Sequence, residues 1–259
     1  MIEISHLTLE VPSKILVADL SLRLLPGQRW CILGKNGAGK STLLRTIAGI
    51  RSLDSSVSWK GRPIDQISSI DLAKLRAFAE QVPNASDDWY VKDVVEAGTW
   101  PWVVEGRVAQ EVVQPKVASL IEQSLKRCDA LHLADLQWRY LSGGEKQRVA
   151  LAACLAQSTA VLILDEPTAH LDLAHQFSVM DELVSASQSC EQLLVASIHD
   201  LHLATRSFTH ALVLNGDHQG SWIAGAVEEV LTPEVINSAL GHRVEWVTSQ
   251  SGERVLIAS

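Results

Sequence analysis

The sequence predicts an α/β fold, in which helices cover a mainly parallel β-sheet and a helical subdomain is inserted into that core. Two observations predict the core: a strand, a glycine-rich loop and a helix follow one another over residues 29–49, and apolar strands alternate with helices over residues 160–215. Such alternation is typical of parallel sheets covered by helices. Between these parts, residues 70–156 show helical periodicity with few β-branched alternations, which predicts the inserted subdomain.

The beginning of the chain is predicted to form strands that lead to the glycine-rich loop. Residues 3–10 and 20–24 alternate between apolar and polar side chains, as half-buried strands do. The short apolar strand 29–33 leads directly into the loop, and a helix is predicted over residues 41–49. Glycine is a common helix stop, so we expect this helix to end at Gly49.

The remaining elements are predicted from changes in hydrophobic period. Helical spacing predicts helices near residues 72–75, 91–97, 108–125 and 144–155. The apolar run 160–164 predicts a fully buried parallel strand. After it we expect helix 173–188, strand 192–197, helix 200–206, strand 210–215, a helix that begins at Thr232-Pro233, and strands 244–247 and 254–258 around a turn at 249–252.

The composition indicates how large a core the chain can form and which partners it is suited to bind. The chain has 259 residues, of which 47% are hydrophobic, enough for a substantial core in one large domain. The net charge of -8 argues against general nucleic-acid binding, which needs a basic face, so no nucleic-acid partner is expected. The longest apolar region, residues 149–164, is interrupted by polar residues and falls short of the ~18–20 apolar residues of a membrane span.

The four cysteines, Cys31, Cys128, Cys154 and Cys190, form no C-x-x-C pair, which makes a zinc or redox site a weak interpretation. We expect small buried thiols in a reducing cytosol. No basic segment followed by an apolar run stands at the N-terminus, so no signal peptide is expected.

A phosphate-binding loop is predicted between the strand at 29–33 and the helix that follows. It has the spacing G-x-x-x-x-G-K-[ST] and consists of Gly34, Lys35, Asn36, Gly37, Ala38, Gly39, Lys40 and Ser41. Its glycines let backbone N–H groups wrap phosphates, and the helix aims its N-terminus at the β-phosphate. Lys40 would place its charge at the β- and γ-phosphates, Ser41 would bind Mg²⁺, and Thr42 would reach the α-phosphate. The alternative is a chance glycine-rich turn.

A second motif reads Leu141-Ser142-Gly143-Gly144-Glu145-Lys146-Gln147-Arg148. Small residues here precede a predicted helix, whose N-terminus is suited to an anion, although an ordinary helix cap is the alternative. Together the two motifs resemble the Walker A and signature sequences of the ATP-binding cassette (ABC) ATPases. The resemblance covers essentially the whole chain. It implies a single ABC nucleotide-binding domain, residues 1–259: a P-loop NTPase (RecA-like) core with an antiparallel β subdomain and a helical subdomain inserted at about 70–156.

The resemblance implies an active site that uses ATP and Mg²⁺. Asp165 follows an apolar strand like a Walker B strand, and Asp165, Ser41 and Gln81 are implied to hold Mg²⁺. Glu166 is implied to be the general base that deprotonates the attacking water. His199 is implied to contact the γ-phosphate. Without the resemblance, adjacent acids, a lone Gln and a His at a strand end are more often surface or structural residues.

One chain carries one phosphate-binding loop and one signature, so the resemblance implies a head-to-tail homodimer with two composite sites. Ser142, Gly143 and Gly144 are implied to bind the γ-phosphate of ATP held by the opposite protomer, and Asp172 to lie at the dimer seam. The family usually stacks adenine on an aromatic near the position of Val11, where this chain has none. Trp30 is expected in the core instead.

Three stretches resemble one branch, the ATPases of bacterial iron-siderophore, haem and vitamin B12 importers: AHLDLAHQ at 169–176, HDLHLA at 199–204 and EEVLTPE at 228–234. This branch implies two multi-span permease subunits, an indirect periplasmic solute-binding protein, and a peripheral location on the cytoplasmic face of the inner membrane. An exporter or cell-division ATPase and a soluble non-transport ABC ATPase are the alternatives.

The permease is predicted to dock near residues 81–107, where Trp89, Tyr90, Trp100 and Trp102 are clustered. These aromatics could equally form the core of the helical subdomain.

Overall fold

The computed structural model describes residues 1–51, 55–103, 110–189, 191–217, 219–241, 244–248 and 254–258. The chain divides into two compact units. The first unit combines Met1–Ile67 with Leu193–Ser259, and the second unit is Ser68–Gln192.

The elements follow in chain order. The first unit begins with β1 (Ile2–Val11), β2 (Lys14–Leu24), β3 (Arg29–Gly34), α1 (Lys40–Ile47), β4 (Val57–Trp59) and β5 (Arg62–Pro63). The second unit contains α2 (Ser69–Leu75), β6 (Arg76–Ala79), α3 (Val91–Gly98), α4 (Trp100–Val103), α5 (Gln110–Arg127), α6 (Gly143–Ala156), β7 (Val161–Asp165) and α7 (Leu173–Ser189). The first unit resumes with β8 (Leu193–Ser197), α8 (Leu201–Ser207), β9 (His210–Leu214), β10 (Trp222–Ala226), α9 (Val227–Val230), α10 (Pro233–Leu240), β11 (Val244–Thr248) and β12 (Arg254–Ala258).

The first unit contains two larger sheets and a hairpin. Strands β2, β1, β4 and β5 form an antiparallel sheet in that order. Strand β3 lies between β9 and β8 and is parallel to both, while β10 pairs with β9 in the antiparallel direction. Strands β11 and β12 pair with each other. The antiparallel sheet is the predicted β subdomain, and β3 is the predicted strand before the phosphate-binding loop.

The core of the first unit explains why β3 holds its loop in place. Trp30, Cys31, Ile32 and Leu33 are all buried, a continuous apolar run as expected of a parallel strand covered on both faces. Trp30 stacks on His210 with ring centroids 4.6 Å apart, so the expectation that Trp30 belongs to the core is confirmed.

In the second unit, β7 is buried along its whole length and pairs in parallel with β6. The sequence did not predict β6, which lies inside the stretch expected to be helical. Its residues, Arg76-Ala77-Phe78-Ala79, are too few and too weakly β-forming to indicate a strand, and its only described ladder is to a strand far along the chain. Strands β4, β5 and β10 and helices α4 and α9 were likewise not predicted.

The other predicted elements are present, with ends shifted by a few residues; the largest shift is in β2, which begins at Lys14 rather than residue 20. Cys31, Cys128 and Cys154 are buried free thiols, as expected, and burial raises the pKa of Cys128 and Cys154 to about 12. Cys190 and the turn at 249–252 lie outside the described residues. None of the described helices has both the length and the apolar character needed to cross a membrane.

Candidate nucleotide-binding and catalytic residues

At two positions, Gly34 and Gly39, the phosphate-binding loop has a backbone that fits glycine best. Gly39 is the N-cap of α1 with φ 107°, a left-handed conformation that other residues rarely adopt. A Cβ on Gly34 would lie 2.8 Å from the carbonyl oxygen of Leu214, so the loop and the end of β9 touch backbone to backbone. Helix α1 has no acidic residue in its first turn, which leaves the positive end of its dipole available to an anion.

Lys40 directs its charge into this loop. Its side chain is buried, and Nζ donates to the carbonyl oxygens of Gly34, at 2.8 Å, and Lys35, at 3.5 Å. Ser41 and Thr42 follow in the first turn of α1. The loop thus surrounds an ammonium group at the amino end of a helix, an arrangement that fits a polyphosphate.

His199 lies beside the same loop. It follows β8, and the N–H of the preceding Ile198 donates to the carbonyl oxygen of Ile32 in the adjacent β3 at 3.1 Å. One cavity of the first unit is lined by Leu33, Gly34, Lys35, Asn36, Ile198, His199 and Leu240. The structure therefore places His199 next to the predicted phosphate ligands.

Gln81 and Glu166 are in direct contact within the second unit. The parallel strands β6 and β7 end at the same edge, Gln81 comes shortly after β6, and Asp165 and Glu166 stand at the end of β7. Gln81 Nε2 donates to Glu166 Oε2 at 2.6 Å. Asp165 is buried, and Glu166 has φ 50°, which is uncommon for a residue with a side chain.

The signature motif forms a closed N-terminal cap of α6. Ser142 Oγ accepts from the N–H of Glu145, and Glu145 Oε2 accepts from the N–H and the hydroxyl of Ser142, both at 2.7 Å. These hydrogen bonds hold the pKa of the Glu145 carboxyl below its usual value. A Cβ on Gly144 would lie 3.0 Å from the carbonyl oxygen of His170, so this position admits no larger residue without a shift.

The signature and Asp172 line one cavity, which is bounded by Ser142, Gly143, Gly144, Glu145, Arg148, His170, Leu171, Asp172 and His175. The carboxylate of Asp172 accepts from the N–H of His175 at 3.0 Å, and its other oxygen lies 2.7 Å from Nδ1 of the same residue. Hydrogen bonding to His175 lowers the pKa of Asp172. The structure thus brings together the two motifs that were predicted to face the opposite protomer.

Sequence reasoning missed two residues at this cavity, Asp129 and His175. Asp129 Oδ2 accepts from Nη1 of the buried Arg148 at 2.8 Å and lies 3.6 Å from Nε2 of His175. The spacing of Asp172 and His175, three residues apart at the start of α7, could have indicated their contact. Nothing in the sequence pattern indicated Asp129.

Val11 lies at the end of β1 and is half-buried. An adenine base bound at this position would therefore contact an aliphatic side chain.

Comparisons with known proteins agree on one family. A sequence profile described as ABC transporter matches residues 17–169. The hemin import ATP-binding protein HmuV of Bordetella avium is 33% identical over 249 residues, which cover 93% of this chain and 92% of that protein. The iron(3+)-hydroxamate import ATP-binding protein FhuC of Bacillus subtilis is 34% identical over 238 residues, which cover 91% of this chain and 86% of that protein.

A solved structure described as a metal-chelate type ABC transporter, in an inward-facing conformation, matches with a TM-score of 0.81 and 22% identity, over 100% of this chain and 97% of that chain. The chain belongs to the ABC transporter family, as one of its ATP-binding members. The predicted family and fold class are thereby confirmed, as is the resemblance to siderophore and haem importers. ATP-binding cassette proteins hydrolyse ATP, so the chain is an ATPase. The roles of its individual residues stay predictions.

We expect the capping carboxylate of Glu145 to make stability depend on pH. Its pKa is lower in the folded state, so its contribution is complete above the unfolded value of about 4.3 and is lost as the pH falls through the folded value. At neutral pH, the free energy of unfolding of Glu145→Gln should therefore be lower than that of the original chain. The difference should become smaller as the pH falls. Urea titrations across this pH range measure it, with Glu96→Gln on the exposed face of α3 as control. A pH-independent difference would contradict the prediction.

Proposed function

We propose that this chain is the ATP-hydrolysing subunit of a bacterial importer and powers uptake of a metal chelate, an iron-siderophore, haem or vitamin B12, through a partner permease. The observation that carries the proposal is the phosphate-binding loop, in which Lys40 lies among backbone carbonyls between a buried strand and a helix N-terminus. The relatives, which are import ATP-binding proteins for hemin and iron(3+)-hydroxamate, support the branch.

The chemistry is divided among side chains with distinct tasks. The loop, from Gly34 to Thr42, binds the phosphates through its N–H groups and Lys40. Ser41, Asp165 and Gln81 offer the hydroxyl, carboxylate and amide oxygens that suit Mg²⁺, which would supply charge neutralisation at the phosphates when bound. Glu166 takes the proton of the attacking water. Gln81 donates a hydrogen bond to the Glu166 carboxylate and thereby orients that carboxylate. His199 contacts the γ-phosphate.

Two copies of the chain work together in this proposal. Ser142, Gly143 and Gly144 bind the γ-phosphate of ATP held by the opposite protomer, and Asp172 lies at the seam. The homodimer attaches to two multi-span permease subunits on the cytoplasmic face of the inner membrane and acts indirectly on a periplasmic solute-binding protein. ATP favours the closed dimer, and hydrolysis resets it.

The aromatic side chains of the second unit support permease docking there. Trp89, Tyr90 and Trp100 are exposed, with 58% of Trp100 accessible, so they are not the core of that unit. Trp102 is also exposed, but its Nε1 donates to the carbonyl oxygen of Gln157 at 2.7 Å, so it has a structural contact as well. Residues 104–107 of the predicted docking stretch lie outside the described residues.

Replacing Glu166 by Gln should abolish steady-state ATP hydrolysis while ATP binding is largely kept. Loss of a positioned base typically costs ~10²–10⁴-fold in rate. Phosphate release and equilibrium ATP binding measure the two effects, and sedimentation in the presence of ATP should show a stabilised dimer. Glu96→Gln makes the same charge change on an exposed helix face and should be neutral. Near-normal turnover of Glu166→Gln would remove this residue from the role of base.

Mixing two inactive variants tests the composite sites. Lys40→Ala should weaken ATP binding itself, because its charge acts on the ground state as well as the transition state. Ser142→Arg should spare ATP binding by the isolated chain and block hydrolysis in the dimer. A mixed dimer has one intact loop facing one intact signature, so the mixture should recover part of the ATPase rate. Complete lack of recovery would argue against sites shared between protomers.

Trp100→Ala should weaken retention of the permease without affecting ATP binding, because an exposed aromatic contributes to an interface rather than to the core. Co-purification of the complex from membranes measures retention, and thermal denaturation of the isolated chain checks the fold. Trp100→Tyr should keep most of the contact. Leu25→Ala, which removes an exposed apolar side chain from the first unit, should have no effect. Unchanged retention in Trp100→Ala would exclude this side chain as an anchor.

A further inference from the structure

The hairpin of β1 and β2 is attached to the phosphate-binding loop by a lysine. The hairpin turns at Pro12 and Ser13, which places Lys14 directly opposite Val11 in the strand register. From there Lys14 Nζ donates to the carbonyl oxygen of Gly37 at 2.6 Å. Leu16, two residues further along β2, also lies close to the loop. A Cβ added to Gly39 would be 3.0 Å from the Cβ of Leu16. The end of the hairpin thus contacts the loop through one charged and one apolar side chain.

The carbonyl oxygens of the loop consequently accept from two ammonium groups in different places, those of Lys14 and Lys40. Lys40 is buried and donates to Gly34 and Lys35, on the inner side of the loop. Lys14 is half-buried and reaches the exposed residue Gly37. A further positive charge beside a group of backbone N–H donors strengthens the attraction for an anion, because the Coulomb attractions of the separate charges add.

The same hairpin offers little to a nucleobase. Cross-strand neighbours have Cβ atoms about 4.5–5.5 Å apart, so the side chain beside Lys14 at the hairpin end is that of Val11. Valine has no ring on which a purine can stack. The contact available between the hairpin and a nucleotide is therefore mainly one of charge with the phosphates.

We propose that Lys14 is a further nucleotide-binding residue, which fixes the turn at Gly37 and adds positive charge for the triphosphate, so that affinity comes from the phosphates rather than the base. The inference builds on the proposed function, since it concerns the same nucleotide site. Its consequence is a site that takes purine nucleoside triphosphates with little distinction between ATP and GTP.

Equilibrium binding of the full chain tests this. The ligands are ATP, GTP and inorganic triphosphate, each with Mg²⁺, in competition with a fluorescent ATP analogue. Lys14→Gln keeps a hydrogen-bond donor but loses the charge, and should weaken all three ligands by a common factor of about fivefold, with a smaller effect at high salt. Lys14→Arg should bind as the original chain does. Lys60→Gln removes an exposed lysine elsewhere in the first unit and should change nothing.

Three results would overturn the inference. Unchanged binding by Lys14→Gln would make Lys14 a structural residue only. Loss of ATP and GTP with inorganic triphosphate unaffected would place Lys14 at the base or ribose. A strong preference of the original chain for ATP over GTP would show that the base is read elsewhere. If Lys14→Gln does not fold, as judged by thermal denaturation, Val11→Tyr decides: the added ring should raise affinity for ATP and GTP but not for triphosphate. Failure of the original chain to bind any of the three ligands would instead refute the proposed function itself.

Discussion

The phosphate-binding loop touches its neighbours more closely than a side chain at its glycine positions would allow. Gly34 meets the backbone of Leu214, and Gly39 turns left-handed against Leu16. These contacts, which the protein makes by itself, hold the loop between the end of β9 and the hairpin of β1 and β2. A site that is shaped before binding loses less conformational entropy when the ligand arrives. In the proposed site, the buried strand β3 and the dipole of α1 act on the nucleotide through a loop that is held in this way.

The signature region contains a negatively charged side chain, whereas the phosphate-binding loop has none. The Glu145 carboxylate accepts from Ser142 at the N-terminus of α6, where a phosphate from the other protomer is proposed to bind. Two anions at one helix terminus repel each other. The cavity also contains Arg148, His170 and His175, whose positive or polar groups can offset that repulsion. Asp129 in turn forms an ion pair with Arg148 at 2.8 Å and lies 3.6 Å from Nε2 of His175.

The sequence predicted the parts of the structure that are coded locally. The apolar runs of β3 and β7, the start of α6 after Ser142 and the start of α1 after the glycine-rich loop are each indicated by a few neighbouring residues, and all are present where expected. Strand β6 was missed because its pairing with β7 joins distant parts of the chain. The same holds for Asp129 with His175 and for Lys14 with Gly37. The contact of Gln81 with Glu166 is equally distant, and only the family resemblance indicated that both belong to one site.

The backbone of Glu166 has a consequence for how this ATPase balances stability against activity. Its φ of 50° is a conformation in which a residue with a Cβ is at a disadvantage and glycine or asparagine is comfortable. The chain therefore gives up folding energy at the position that is proposed to supply the general base. A screen for thermal tolerance alone would favour glycine or asparagine there and would select a more stable protein without the carboxylate that is proposed to act as general base. Under the proposed role of Glu166, stabilised versions of this chain must keep this unfavourable backbone conformation.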